Sequence, residues 1–179
     1  MPKYVAFLRA INVGGHTVKM DHLRRLFEAL GFTNVETFIA SGNVIFDAKS
    51  KTTSALEPKI EKHLGKMLGY EVRTFVRAAS ELAAVANHKP FSETELEAAG
   101  HTLYVGFMAG KPGNEAIKKL LSLSSATDDF AVHGHEVYWL CRARFSESAV
   151  SGALLEKTLG MRATFRNVNT VRRLAAKYS

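Results

Sequence analysis

Hydrophobic positions along this chain fall into short apolar runs and helical stripes whose order repeats once. Tyr4-Val5-Ala6-Phe7-Leu8 is apolar on both faces, as a central strand is. Leu23, Leu26, Phe27 and Leu30 follow at helical spacing, and Gly31 ends that helix. Apolar runs at 35–40 and 44–46 flank Ser41-Gly42-Asn43, which has the chemistry of a hairpin turn. Leu56, Ile60, Leu64 and Met67 mark one face of a second helix. Pro58 is tolerable there only near the first turn, and Gly65 costs the helix about 1 kcal/mol. Residues 72–76 read as a fourth strand.

The same order returns from residue 102. A strand over 103–108 is followed by turn chemistry at Lys111-Pro112-Gly113-Asn114. A helix carries Ile117, Leu120 and Leu121. Strands around Phe130-Ala131-Val132 and over 136–141 flank a tight turn at His133-Gly134. A helix with Val150, Leu154 and Leu155 is capped by Ser146 or Ser148, a strand covers 163–166, and Val168, Val171 and Leu174 define a last helix. Between the repeats, Ser80 reads as the N-cap of a short helix through Ala86. Asn87-His88-Lys89-Pro90-Phe91 and an acidic stretch to Gly100 read as linker. The pattern predicts an α+β protein made of a tandem pair of ferredoxin-like (βαββαβ) sandwiches with antiparallel sheets. They occupy 1–78 and 102–179, with a linker and short helix at 79–101 and an extra C-terminal helix on the second. A unit of about 75 residues is marginal alone, so the two are expected to share an interface through sheet faces or the extra helices.

Composition narrows the functional classes. At 46% hydrophobic and 23% charged, the 179 residues are ordinary for a globular protein. No apolar run is long enough to span a membrane, the start has no signal-peptide pattern, and the single cysteine, Cys141, allows no internal disulfide. A cytoplasmic protein with no membrane partner is the expectation. The net charge is +7 and unevenly spread. Residues 1–78 hold twelve basic against seven acidic residues, 79–101 one against four, and 102–179 eleven against six. Two basic units around an acidic connector favour anionic partners.

Two polar segments interrupt the apolar pattern. Arg9-Ala10-Ile11-Asn12-Val13-Gly14-Gly15, with Lys19 beyond, puts an arginine at a strand end and two glycines before a helix start, the ingredients of an anion nest. It lacks the spacing of a P-loop or a dinucleotide fingerprint. Phe165-Arg166-Asn167-Val168-Asn169-Thr170 lies between a strand and a helix. One Asn there is explained by capping, while Arg166, the second Asn and Thr170 together suit a phosphate or carboxylate. Ser41 and Asn43 form a third polar turn. His133-Gly134-His135 lacks the partners of a metal site, Cys141 reads as a buried thiol, and Asp128-Asp129 as solvated. No general base can be nominated, His16 in the Gly-rich loop coming nearest to one. No cofactor motif and no metal site is present, and no catalytic set can be named.

These segments also carry a family resemblance. Arg9 through Gly15, Lys19-Met20, Leu30-Gly31-Phe32, Ser41-Gly42-Asn43-Val44, Pro90-Phe91 and Thr164 through Val171 resemble the domain-of-unknown-function family 1697, found mainly in bacteria. A common form of the first motif has Gly at the position of Ala10, and Asn usually stands where Lys89 precedes Pro90. The resemblance implies two ferredoxin-like units and no particular activity. Its motif positions are Arg9, Asn12, Gly14, Gly15, Ser41, Gly42, Asn43, Arg166, Asn167, Asn169 and Thr170.

The expected function is binding of a small anionic, phosphate-bearing ligand. Arg9, Lys19 and Arg166 would supply charge, Asn12, Asn43, Asn167 and Asn169 orientation, and Gly14 and Gly15 backbone access, with the loops of the two units converging. The alternatives are salt-sensitive nucleic-acid binding through Arg162, Arg166, Arg172, Arg173 and Lys177, and an enzyme acting on the anionic ligand. A homodimer that buries a sheet edge is a further expectation.

Overall fold

The strand that is apolar on both faces becomes the inner strand of its sheet. The structure is a computed structural model that describes residues 1–12, 15–39, 42–143 and 148–179. Its mixed α+β chain forms two four-stranded antiparallel sheets, with seven α-helices among the described residues. The first unit, Met1–Leu82 with Leu174–Ser179, contains β1 (Lys3–Leu8), α1 (Met20–Glu28), β2 (Thr33–Thr37), β3 (Asn43–Asp47), α2 (Thr53–Leu68) and β4 (Thr74–Ala78), with strand order β2-β3-β1-β4. The second unit, Ala83–Arg173, contains β5 (Thr102–Met108), α5 (Asn114–Leu121), β6 (Asp128–His133), β7 (Glu136–Cys141), α6 (Gly152–Leu159) and β8 (Ala163–Asn167), with order β6-β7-β5-β8. A 3-10 turn (Ala79–Glu81), α3 (Leu82–Asn87) and α4 (Glu93–Glu97) connect the two element sets, and α7 (Val168–Tyr178) ends the chain.

Alternation along β1 sorts the first core. Tyr4, Ala6 and Leu8 pack with Val44, Phe46 and Val76 against Leu23, Leu26 and Phe27 of α1 and Leu56, Ile60 and Leu64 of α2. Val5, Phe7 and Ile45 point to the opposite face and are equally buried. The second core joins Trp139 and Cys141 of β7, Phe130 of β6 and Met108 of β5 to Leu120 of α5 and Leu155 and Leu159 of α6. Gly106 pairs with Val137 and Phe165 across the two neighbours of β5. A Cβ there would stand 2.6 Å from both side chains.

The edge strands β4 and β8 are sealed by side chains. Glu57 of α2 accepts the Val76 N–H at 2.8 Å, and Glu61, one turn on, accepts from the Thr74 backbone. In the second unit Glu156 of α6 accepts the Ala163 N–H at 3.1 Å. Burial raises the carboxyls of Glu57 and Glu61 above the usual range, partly offset by those N–H groups and by Arg77 and Arg73 respectively.

Several details differ from the sequence reading. Ser80 is not a helix cap: it lies inside the 3-10 turn, where a three-residue repeat buries both Ala79 and Leu82. The acidic linker contains α4, capped by Ser92, whose Oγ accepts from the Glu95 N–H. Met67 is 54% exposed because the buried stripe of α2 ends at Leu64, with the partly buried Leu68 packed against the core. Leu121 is likewise exposed. The fourth strand starts two residues later than the apolar run suggests, at Thr74. Asp128 is buried, not solvated: its carboxylate accepts from Trp139 Nε1 at 2.7 Å, Ser148 Oγ at 2.9 Å and Thr127 Oγ1 at 2.8 Å. Ser146, the alternative cap of α6, lies outside the described residues, and that helix is capped by Ser151.

Gly65 and Gly106, one in a helix and one in a strand, should respond oppositely to substitution. Gly65→Ala adds a Cβ whose nearest neighbour is the Tyr70 carbonyl oxygen at 3.9 Å, so chemical denaturation should show a gain of about 1 kcal/mol from helix propensity. Gly106→Ala forces its Cβ into Phe165 and Val137 and should lose about 1–3 kcal/mol. A second expectation concerns pH. The His88 ring stacks on His133 at 4.1 Å and leans on Tyr138, whose hydroxyl donates to the Val85 carbonyl. Burial, and then His133, depress His88 below its ordinary value. The folded state therefore disfavours the imidazolium. Its stability is complete above about pH 6.5 and declines as pH falls below that, until the depressed folded value is passed. Melting temperature measured from pH 8 to 5 should fall less steeply for His88→Gln than for the wild type.

Candidate functional site

At the C-terminal end of β1, three segments of the first unit are tied together by backbone bonds. Leu8 N–H donates to the Gly42 carbonyl at 2.9 Å and Arg9 N–H to the Arg73 carbonyl at 2.8 Å. Gly42 has φ +76°, and a Cβ on it would meet Ile11 Cγ2 at 2.9 Å. This glycine is required by both conformation and space. Tyr70 donates its hydroxyl to the Ile11 carbonyl at 2.8 Å and stacks on the His16 ring at 3.9 Å.

The polar residues of this end hold the loops in shape. Asn12 Oδ1 accepts the Val18 N–H at 2.7 Å, and Asn43, 1% exposed, donates Nδ2–H to the Phe38 carbonyl at 3.0 Å. Arg9 is half-buried; Gly15 and Lys19 are exposed, and Lys19 occupies the cap position of α1 without a side-chain cap bond. Gly14 and Ser41 lie outside the described residues. His16, the general-base candidate, serves as a stacking partner.

The second polar segment builds a cavity of about 110 Å³ in the second unit, where α7 begins. Asn167, Asn169, Arg172, His101 and Thr102 contribute its polar wall, and Leu96, Leu103 and Val168 the apolar part. No acidic residue lines it. Asn167 is the helix cap: its Oδ1 accepts the Asn169 N–H at 2.9 Å. Asn169 Oδ1 in turn accepts from Arg172 Nη1 at 3.0 Å. That bond uses one of the five donors of the guanidinium and fixes its direction. His101 Nδ1 lies 2.7 Å from the Glu95 carbonyl oxygen; a carbonyl only accepts, so Nδ1 carries the proton. Glu95 is held by Arg142 Nε at 2.9 Å, and Arg142 also reaches Asp129.

Arg166 does not line this cavity. Its Nη1 donates to Thr164 Oγ1 at 2.8 Å and to the Phe165 carbonyl at 3.0 Å. Burial lowers its guanidinium to about 10. Thr170 is half-buried in the first turn of α7. The sequence-predicted residues are therefore divided: Arg9, Asn12, Gly15, Lys19 and Asn43 belong to the first unit, and Arg166, Asn167, Asn169 and Thr170 to the second. His101 is absent from the sequence-based set. It stands at the end of the linker, and no local pattern joins it to α7. Arg172 stands in the sequence reading only within the basic C-terminal set; its place beside Asn169 follows from the three-residue spacing on a helix.

Among the described residues no group of three His, Cys, Asp or Glu side chains is arranged to hold a metal ion. No described helix is long and apolar enough to cross a membrane. Cys141 is buried beside Asp128, its Sγ donates to the Ala143 carbonyl, and burial pushes its thiol up, the opposite of an activated nucleophile.

Comparison with known proteins bears on the family and the fold. The conserved bacterial protein SP0830 from Streptococcus pneumoniae is similar in structure, with a TM-score of 0.78 over 99% of this chain and 98% of that one, at 21% identity. That likeness concerns the fold alone. No curated protein matches the sequence. A family model described as "Protein of unknown function (DUF1697)" matches residues 1–138, more than three quarters of the chain, including the Arg9–Gly15, Ser41–Asn43 and Pro90-Phe91 segments. The chain belongs to the DUF1697 family.

Proposed function

We propose that this protein binds a small anionic ligand, phosphate-bearing in the simplest case, through the cavity at the start of α7. The observation that carries the reading is the convergence of Arg172, Asn169, Asn167 and His101 on a cavity that no carboxylate lines. Arg172 is preset by Asn169 and pays little entropy to meet an oxyanion. The volume corresponds to three or four waters at roughly 30 Å³ each. It suits one phosphate, sulfate or carboxylate group, with the body of a larger ligand left outside. The reading assigns the loops around Arg9 a supporting role, since Asn12 and Asn43 already bond the backbone that shapes them.

The same reading takes each unit as a ferredoxin-like sandwich and the chain as a tandem pair of them. Its support is the strand order β2-β3-β1-β4, matched by β6-β7-β5-β8, with helices after the first and third strand of each set.

Thermal melts at constant ionic strength, with sulfate, phosphate, nucleotides, phosphosugars and a short oligonucleotide, test the binding reading. A saturable rise in Tm is expected with a small phosphate-bearing ligand. Arg172→Met should weaken it about tenfold or more, through loss of a charge-assisted hydrogen bond, and Arg9→Met should leave it unchanged. Equal binding by Arg172→Met removes the cavity from consideration. A rise with the oligonucleotide alone, erased by salt, transfers the assignment to nucleic acid.

A further inference from the structure

The first unit contains a larger cavity, of about 300 Å³, at the end of the sheet away from Arg9. That is near the lower limit of small-molecule pockets. Phe32, buried and stacked on Phe46 at 4.4 Å, lines it with Leu56 and Ala55. Lys49, Ser50 and Lys59 supply its polar part, and no acidic residue lines it. Lys59 Nζ stands 5.3 Å from the centroid of the Phe32 ring. Neither lysine joins any of the ion pairs found among the described residues of this unit, where Asp47 is engaged by Lys3 and Asn34, and Glu61 and Glu71 by Arg73.

We infer that this cavity binds a small monocarboxylate with a flat apolar body: the body lies against Phe32 and Leu56, and the carboxylate meets Lys49 and Lys59. Charge complementarity sets the sign of the ligand, since two ammonium groups border an apolar floor with no counter-charge. The class of anion follows from the donors. Lysines are point charges without the planar fork of arginine, which suits a single carboxylate. The floor supplies the other half of the recognition, because an apolar body gains from being removed from water against it. The site is also held in shape before any ligand arrives. Tyr4 donates its hydroxyl to the Ser50 carbonyl at 2.6 Å, and the Lys3–Asp47–Asn34 cluster fixes the neighbouring strand end.

Benzoate is a suitable probe, with benzamide as its neutral counterpart and full-length ¹⁵N-labelled protein as the target. Titration should give saturable amide shifts at Gly31, Phe32, Lys49, Ser50 and Ala55, with a Kd of about 1 mM for so open a site. Benzamide should produce much smaller shifts at the same positions. The double variant Lys49→Met/Lys59→Met, at two exposed positions, should weaken benzoate binding about tenfold. Ala55→Phe, which fills the cavity and leaves both charges, should abolish it. Arg172→Met should have no effect, which separates this site from the cavity in the second unit. Equal shifts with benzamide, undiminished binding in the double variant, or no saturable shift at about 10 mM benzoate would each overturn the assignment.

Discussion

Each sheet has an edge strand, β4 or β8, whose outward N–H groups have no neighbouring strand to accept them, and helix carboxylates take up part of that demand. An unsatisfied buried donor costs about 1–3 kcal/mol. On β4 the acceptors are Glu57 and Glu61, and on β8 Glu156. These are helix residues, so the bonds do more than satisfy the strand. They fix α2 and α6 along the sheet at the positions where Leu56, Ile60 and Leu64, or Leu155 and Leu159, enter the core. The arrangement has a cost. Burial raises Glu57 and Glu61, because desolvation outweighs the compensation from the strand N–H groups and the nearby arginines. Sealing an edge with a buried acid also blocks strand addition by another chain.

This constraint explains why the polar residues worth attention lie at the ends of the sheets. Both faces of β1 and β7 are buried. The faces of these inner strands therefore hold no open polar surface. Loops and helix starts are left, and there most polar side chains are occupied with the backbone. Asn12 closes the loop before α1, Asn43 closes the β2–β3 hairpin, and Asn167 caps α7. Each is explained by local structure. His101 and Arg172, from distant segments, line one cavity, a placement that no local bond accounts for.

The order of elements was legible because it is written in local periodicity. Tyr4 to Leu8 is a two-faced strand, and Leu23, Leu26 and Phe27 form a one-faced helix. What failed depends on partners far along the chain. Asp128 looks like a solvated acid beside Asp129. It is buried because Trp139, eleven residues on, and Ser148, twenty residues on, donate to it. Ser92 was hidden as a cap by the acidic run around it, which resembles linker composition although it forms the first turn of α4. The candidate cavity was half legible. Asn167 and Asn169 stand out in sequence, but His101 joins them only through the pairing of β5 with β8.

The contrast between Arg166 and Arg172 shows where function can reside. Arg166 is opposite Val105 on β8, and Arg77 is opposite Val5 on β4, so the two arginines hold the same register in their sheets. Each donates to the carbonyl of the residue before it, Phe165 or Val76. A bond made at the same place in both sheets is explained by the sheet itself. Arg172 has no such counterpart. β4 runs into a 3-10 turn that buries Ala79, whereas β8 runs directly into α7 and places an arginine one turn inside it. The chain's chemistry is best sought in such differences between the two units, because what they share is already accounted for by the sealing and filling of a sheet.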